Sequence, residues 1–121
     1  MKYLIMIYTN TESRRAWQAY SDADKKAGLD LYAALNADLI KSGEMIVSES
    51  LADPSEGRRV LVRDGQLSTT DGPFAEVKEH LAGFYLVDCE SMDRAVEYAA
   101  RIPESAAAGY VEVRPVLNYE M

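Results

Sequence analysis

The 121-residue sequence is short of several things: it has one cysteine, one histidine and one tryptophan, and fewer cations than anions. Each scarcity excludes something. The lone thiol, Cys89, cannot close an intrachain disulfide or supply a zinc cluster, and with no adjacent base it reads as a small apolar residue. The lone histidine, His80, lies in a charged segment and reads as a surface residue. No phosphate loop, dinucleotide fingerprint, Ser/His/Asp set or metal-ligand spacing is present, so no cofactor and no metal is expected. No apolar run approaches the roughly 20 residues that cross a bilayer, so no membrane partner is expected. The opening Met1–Tyr8 is apolar, but Thr9-Asn10-Thr11-Glu12 stops it. It is too short for a signal peptide and predicts a strand in a cytoplasmic protein. Thirteen Lys and Arg stand against twenty Asp and Glu, a net charge of −7 that argues against nucleic acid as a partner.

What is present is ordinary globular composition, 48% hydrophobic and 27% charged, which predicts one domain over residues 1–121. In residues 2–8 both alternating sets, Tyr3/Ile5/Ile7 and Leu4/Met6/Tyr8, are apolar or aromatic. That strand needs cover on both sides. Between about Ser13 and Ser42, Trp17, Tyr20, Ala27, Leu31, Leu35 and Leu39 recur at helical spacing. Gly28 is a point where this region divides or bends, Ser21-Asp22 offers a fresh helix start, and Gly43 suits a left-handed C-cap. Residues 45–51 read as a strand. Arg59–Arg63 and Gln66–Thr70 flank Asp64-Gly65, which predicts a type I′ hairpin. Residues 82–88 form a further strand, apolar on both faces. Ser91 caps a helix whose buried stripe is Ala95, Val96, Ala99 and Ile102, and Pro103 stops it. Residues 110–116 are the last strand.

This order predicts an α+β, ferredoxin-like, mostly antiparallel sheet with two helical segments on one face and an extra hairpin. Two helices cover one face, so the second apolar face predicts a homodimer by sheet packing, with a cavity between sheet and partner.

Asp71-Gly72-Pro73-Phe74, Ala75-Glu76-x-Lys78-Glu79 and Gly83-Phe84-Tyr85-Leu86 resemble the signature of the Asp-Gly-Pro-Phe (DGPF) group of YCII-related proteins. Ala100-Arg101-Ile102-Pro103 and Val111–Pro115 are similar to its C-terminal pattern. The resemblance implies a dimeric α/β barrel. It also implies a bacterial setting in which some relatives are linked to sigma factors of the extracytoplasmic-function class. The wider family's proposed chemistry uses a His–Asp pair. No histidine precedes Gly43 here, so only Asp71 carries over.

Asp71 also stands out on its own. An aspartate before a turn bonds the N–H two residues on, but that residue is Pro73, which has none. The carboxylate must cap a short helix started by Pro73, meet a cation, or face a ligand. It is the candidate proton-transfer group for acid–base catalysis on a small polar or anionic substrate. Arg114, Lys78, Glu76, Tyr85 and Tyr8 are the candidate substrate-binding residues, with Arg114 or Lys78 holding the anion. If residues 75–80 are helical, Glu76 and His80 become neighbours. Arg58 and Arg59 read as partners for acidic side chains. The competing reading is a non-catalytic interaction module.

Overall fold

The computed structural model of the chain describes residues 1–106 and 109–118. Its elements are β1 (Lys2–Thr9), α1 (Thr11–Ala19), α2 (Asp22–Ser42), β2 (Met45–Ser50), β3 (Arg58–Arg63), β4 (Gln66–Asp71), β5 (His80–Asp88), α3 (Met92–Ala99) and β6 (Tyr110–Pro115). Short 3-10 turns lie at Pro54–Glu56 and Pro103–Ala106. Four strands pair in the order β2-β5-β1-β6, every pair antiparallel. With the β3–β4 hairpin set aside, this is the ferredoxin-like arrangement. The sheet of the single chain is open, and no closed barrel forms among the described residues.

The first helical region divides, but not at Gly28. Asn10 caps α1 by accepting the Ser13 N–H at 2.7 Å. The chain then turns extended at Tyr20 and Ser21, and Ser21 Oγ caps α2 by accepting the Asp24 N–H at 3.1 Å. A new cap satisfies first-turn donors that an uninterrupted helix would bond internally, so it costs little to restart there. Through Gly28, α2 continues unbroken. A Cβ on Gly28 would lie 3.2 Å from the Trp17 ring, so α1 seats its indole against that point.

One face of the sheet holds the core. Tyr3, Ile5 and Ile7 of β1 and Tyr85 and Val87 of β5 pack with Leu35 and Leu39 of α2, and with Ala95, Tyr98, Ala99 and Ile102 of the α3 region. Both helical stripes differ from their expected membership. In α2, Tyr32 packs on the core while Leu31 and Ala27 stay exposed, as do Trp17 of α1 and Tyr20 beyond its end. In α3, Tyr98 is buried and Val96 is exposed. Hydrophobicity alone ranked these residues. Helix rotation decided them, because tyrosine can bury its ring and still find a partner for its hydroxyl.

That partner is visible at Tyr98. Its hydroxyl donates to Glu44 Oε1 at 2.5 Å, and Arg94 donates to both Glu44 oxygens at 3.0 and 3.3 Å. Arg94 and then Tyr98 hold the Glu44 carboxyl down to about 2. The cluster ties α3 to Glu44, the residue just before β2. Cys89 is buried, its thiol donates to Ser91 O at 3.4 Å, and burial pushes its pKa up.

The opposite face of the sheet carries Leu4, Met6 and Tyr8 paired across to Leu86, Phe84 and Leu81, with Val47 at its edge. No helix covers it. The hairpin turn carries positive φ at both Asp64 (49°) and Gly65 (74°), as a type I′ turn requires. All twelve residues of β3 and β4 are exposed.

Candidate functional site

A crevice opens on the helix side of the sheet, between α1, α2, β5 and the turn after Pro103. Its volume is about 490 Å³, with an adjoining lobe of about 560 Å³ that shares Leu29, Tyr32, Ala82 and Glu104. Trp17, packed edge-on against Tyr20 at 5.8 Å, lines one end. Asn36 and Tyr85 line the other.

Local structure explains each placement. Ile102 is buried and anchors the end of the α3 region. Pro103 cannot continue a helix but can begin a tighter turn, and Glu104 is thereby directed at α2. There the Tyr32 hydroxyl donates to Glu104 Oε2. The Tyr85 hydroxyl donates to Asn36 Oδ1 at 2.6 Å. Burial, and then the hydrogen bond and charge of Glu104, push the Tyr32 pKa well above that of a free phenol. Burial and the Glu104 charge push Tyr85 in the same direction. Both phenols therefore keep their protons and act as donors, Tyr32 to Glu104 and Tyr85 to Asn36. A carboxylate and two hydroxyls facing an apolar crevice can bind a polar group and pass a proton to or from it.

Arg14 stands on the rim. Its guanidinium donates to Thr9 Oγ1 at 3.5 Å and to Thr11 Oγ1 at 3.4 Å. No carboxylate lies within ion-pair distance of it among the described residues. Among those residues, no three His, Cys, Asp or Glu side chains gather as a metal site would require. No described helix is long and apolar enough to cross a membrane.

Comparison with known proteins places the chain in a family. The YCII-related domain matches residues 1–120. The chain belongs to the YCII-related family. An uncharacterized protein of Rhizobium meliloti (strain 1021) is 31% identical over 121 residues, spanning 99% of this chain and 95% of its own.

In this YCII-related chain the residues singled out from sequence lie in three separate places. Tyr85 is the one that reaches the crevice. Tyr8 and Arg114 belong to the uncovered sheet face. Tyr8 stacks on Tyr110 at 4.8 Å and donates to Met6 Sδ at 3.6 Å, while Arg114 sits across from Leu4. Asp71, Glu76 and Lys78 form the third group, at the base of the hairpin.

Asp71 ends β4 and caps no helix. Residues 72–79 make a turn and loop, and His80 begins β5, so Glu76 and His80 do not share a helix. The reason lies in β3. The Arg59 guanidinium covers the Phe74 ring at 3.8 Å and donates to Glu76 Oε1 at 2.6 Å, drawing residues 74–76 back onto the hairpin. Of the three routes open to Asp71, the carboxylate takes the cation: Arg58 Nε donates to Oδ1 at 3.1 Å, with the Asp71 side chain 79% exposed. Glu76, in turn, has its pKa lowered by its own backbone N–H and then by Arg59. Lys78 is exposed. Gly72 is fixed by close approach: a Cβ there would come 2.5 Å from Pro54 O.

Sequence reasoning passed over Tyr32, Asn36, Glu104 and Arg14. Signals for two of them were present. Tyr32 lies one position from Leu31 on the helical stripe, and Glu104 directly follows the proline read only as a stop.

Proposed function

We propose that this YCII-related chain binds a small anionic molecule in the crevice beneath α2 and carries out cofactor-independent proton transfer there. Glu104 accepts the proton, and Tyr32, which keeps its own, positions that carboxylate by hydrogen bonding. Arg14 on the rim attracts the ligand's negative charge, and Trp17 offers a flat apolar wall. The observation that carries this reading is the Tyr32–Glu104 hydrogen bond, which places a carboxylate and a protonated phenol together inside an apolar recess. A carboxylate hydrogen-bonded to a protonated phenol in a cleft is an arrangement suited to acid–base chemistry.

Asp71 is the rival proton-transfer group. What supports it is the missing N–H of Pro73, which leaves its carboxylate only a side-chain partner. Against it stand its exposure and its pairing with Arg58. The non-catalytic alternative, an interaction module acting with a sigma factor of the extracytoplasmic-function class, draws on the net charge of −7, which suits a basic partner.

A thermal-shift screen of small carboxylic acids and their neutral amides separates these readings. Acids should stabilise the wild type. Glu104→Gln and Arg14→Gln should weaken that stabilisation, and Asp71→Asn should not. If no acid binds, the interaction-module reading takes over. If Asp71→Asn alone abolishes binding, the site is at the hairpin base.

A further inference from the structure

We propose that Asn36 and Ser48 form an oxyanion-binding pair in the lobe of the crevice, and that the ligand is an oxo acid with an acidic C–H between its carboxylate and its ketone. This rests on the proton-transfer reading above and names its substrate class.

The first support is an amide without a partner. The Tyr85 hydroxyl donates to Asn36 Oδ1 at 2.6 Å, which fixes the amide's orientation and turns its nitrogen away from that ring. Both N–H groups on Asn36 Nδ2 are without a partner among the described residues, and Asn36 lines the lobe. Amide donors left unpaired in a recess carry a free-energy cost that a bound acceptor removes. Ser48 supplies a second donor. It pairs with Tyr85 across β2 and β5, so the two side chains share the helix side of the sheet. Its hydroxyl has no hydrogen bond among the described residues and lines the same lobe. Glu49, the next residue, alternates to the other face with Phe84.

The second support is spacing. Asn36 lies four residues after Tyr32 on α2, one turn further along the same face. Tyr32 holds Glu104, so carboxylate and amide stand about one helix turn apart, on the order of 5 Å. A C–H and the carbonyl oxygen beside it fit such a gap. Glu104 takes the proton from carbon, and the C–H electron pair becomes a C=C bond. The carbonyl π pair moves to oxygen, where Asn36 and Ser48 hold the enolate by hydrogen bonding. Return of the proton from Glu104 restores the ketone, so no oxidant or reductant is consumed.

The order of groups along the cavity sets the class. Arg14 and Trp17 line the crevice but not the lobe, and Asn36 and Ser48 line the lobe but not the crevice. Glu104 lines both. A ligand with its carboxylate toward Arg14 and its ketone at Asn36 therefore presents to Glu104 the carbon between them. An acid whose only C–H lies beyond its ketone does not.

The test is hydrogen exchange in heavy water, followed by proton NMR, with levulinate and pyruvate as probes. Levulinate has a methylene on the carboxylate side of its ketone and a methyl beyond it; pyruvate has only a methyl beyond. The chain should speed exchange of the levulinate methylene over the protein-free control, and neither methyl. Asn36→Asp keeps an acceptor for Tyr85 but removes both donors, and should slow methylene exchange by about 100-fold or more. Ser48→Ala, a change on an edge strand, should slow it in the same direction and carries the test if Asn36→Asp does not fold. Tyr85 is a positioning residue. Tyr85→Phe should lower the rate at saturating levulinate and leave the half-saturating concentration unchanged. Levulinate that fails to bind where simple carboxylic acids do, or binds without exchange above control, overturns this inference and leaves the acid-binding reading intact. Equal exchange of methylene and methyl, or full activity in both Asn36→Asp and Ser48→Ala, overturns it as well. If no carboxylic acid binds, this inference and the reading beneath it fall together.

Discussion

Replacing Glu44 by Gln should cost stability at neutral pH and progressively less in acid. In the native chain the carboxylate accepts one hydrogen bond from Tyr98 and two from Arg94, with the Glu44 side chain only 17% exposed. Glutamine keeps one acceptor oxygen, so it retains a bond to Tyr98 or to Arg94 but loses the charge that strengthens both. A hydrogen bond to a charged group is worth about 1.5–3 kcal/mol. With partial retention and the cluster open to water on one side, the expected loss is about 1–2 kcal/mol. For a domain of this size that is a fall in Tm of about 4–8 °C. The sign of the pH dependence follows from the carboxyl being held down to about 2 in the folded chain. Unfolded, it titrates near 4.3. A depressed carboxyl contributes stability that is complete above the unfolded value and is lost as pH falls through the folded one. The gap in Tm between wild type and Glu44→Gln should therefore be full at pH 6–7, begin to close below about pH 4.5 and shrink toward pH 2. Calorimetric scans of both proteins across this range decide it. A gap that is constant with pH, or that widens in acid, would refute the assignment of the stabilisation to an ionised Glu44.

Two further outcomes follow from the hairpin base. Gly72→Ala forces a Cβ against Pro54 O, a backbone atom, and the 53–57 loop must shift. It should destabilise by about 1–3 kcal/mol in denaturant melts, whereas an unchanged midpoint would show the approach to be loose. Asp71→Asn removes an exposed ion pair and no helix cap, so its effect on stability should lie within about 0–1 kcal/mol by the same melts.

The fold was readable because its signals were redundant. The double-sided apolar alternation of residues 2–8, the Asp64-Gly65 turn and the Ser91 cap each rest on local chemistry that packing did not overrule. The errors came where two residues of similar type competed for one position. Leu31 against Tyr32, and Val96 against Tyr98, were settled by helix rotation, which no single turn of sequence reveals. The same cause hid the crevice. Its polar members come from α2, β5 and the turn after Pro103, up to 72 positions apart, and only the packing of α2 on the sheet brings Glu104 to Tyr32. Asp71 drew notice for a sound reason, the missing N–H of Pro73. The partner that resolves it, Arg58, is thirteen residues away and becomes its neighbour only through the hairpin register.

The central claim is that ligand enters the crevice beneath α2. Amide chemical-shift mapping tests it most directly, with an acid from the thermal-shift screen titrated into the uniformly labelled chain. Shifts concentrated at residues 14–17, 28–36, 82–85 and 104, and abolished in Glu104→Gln, are the predicted result. Shifts confined to residues 58–80, or to Tyr8, Tyr110 and Arg114 on the other face of the sheet, would contradict it.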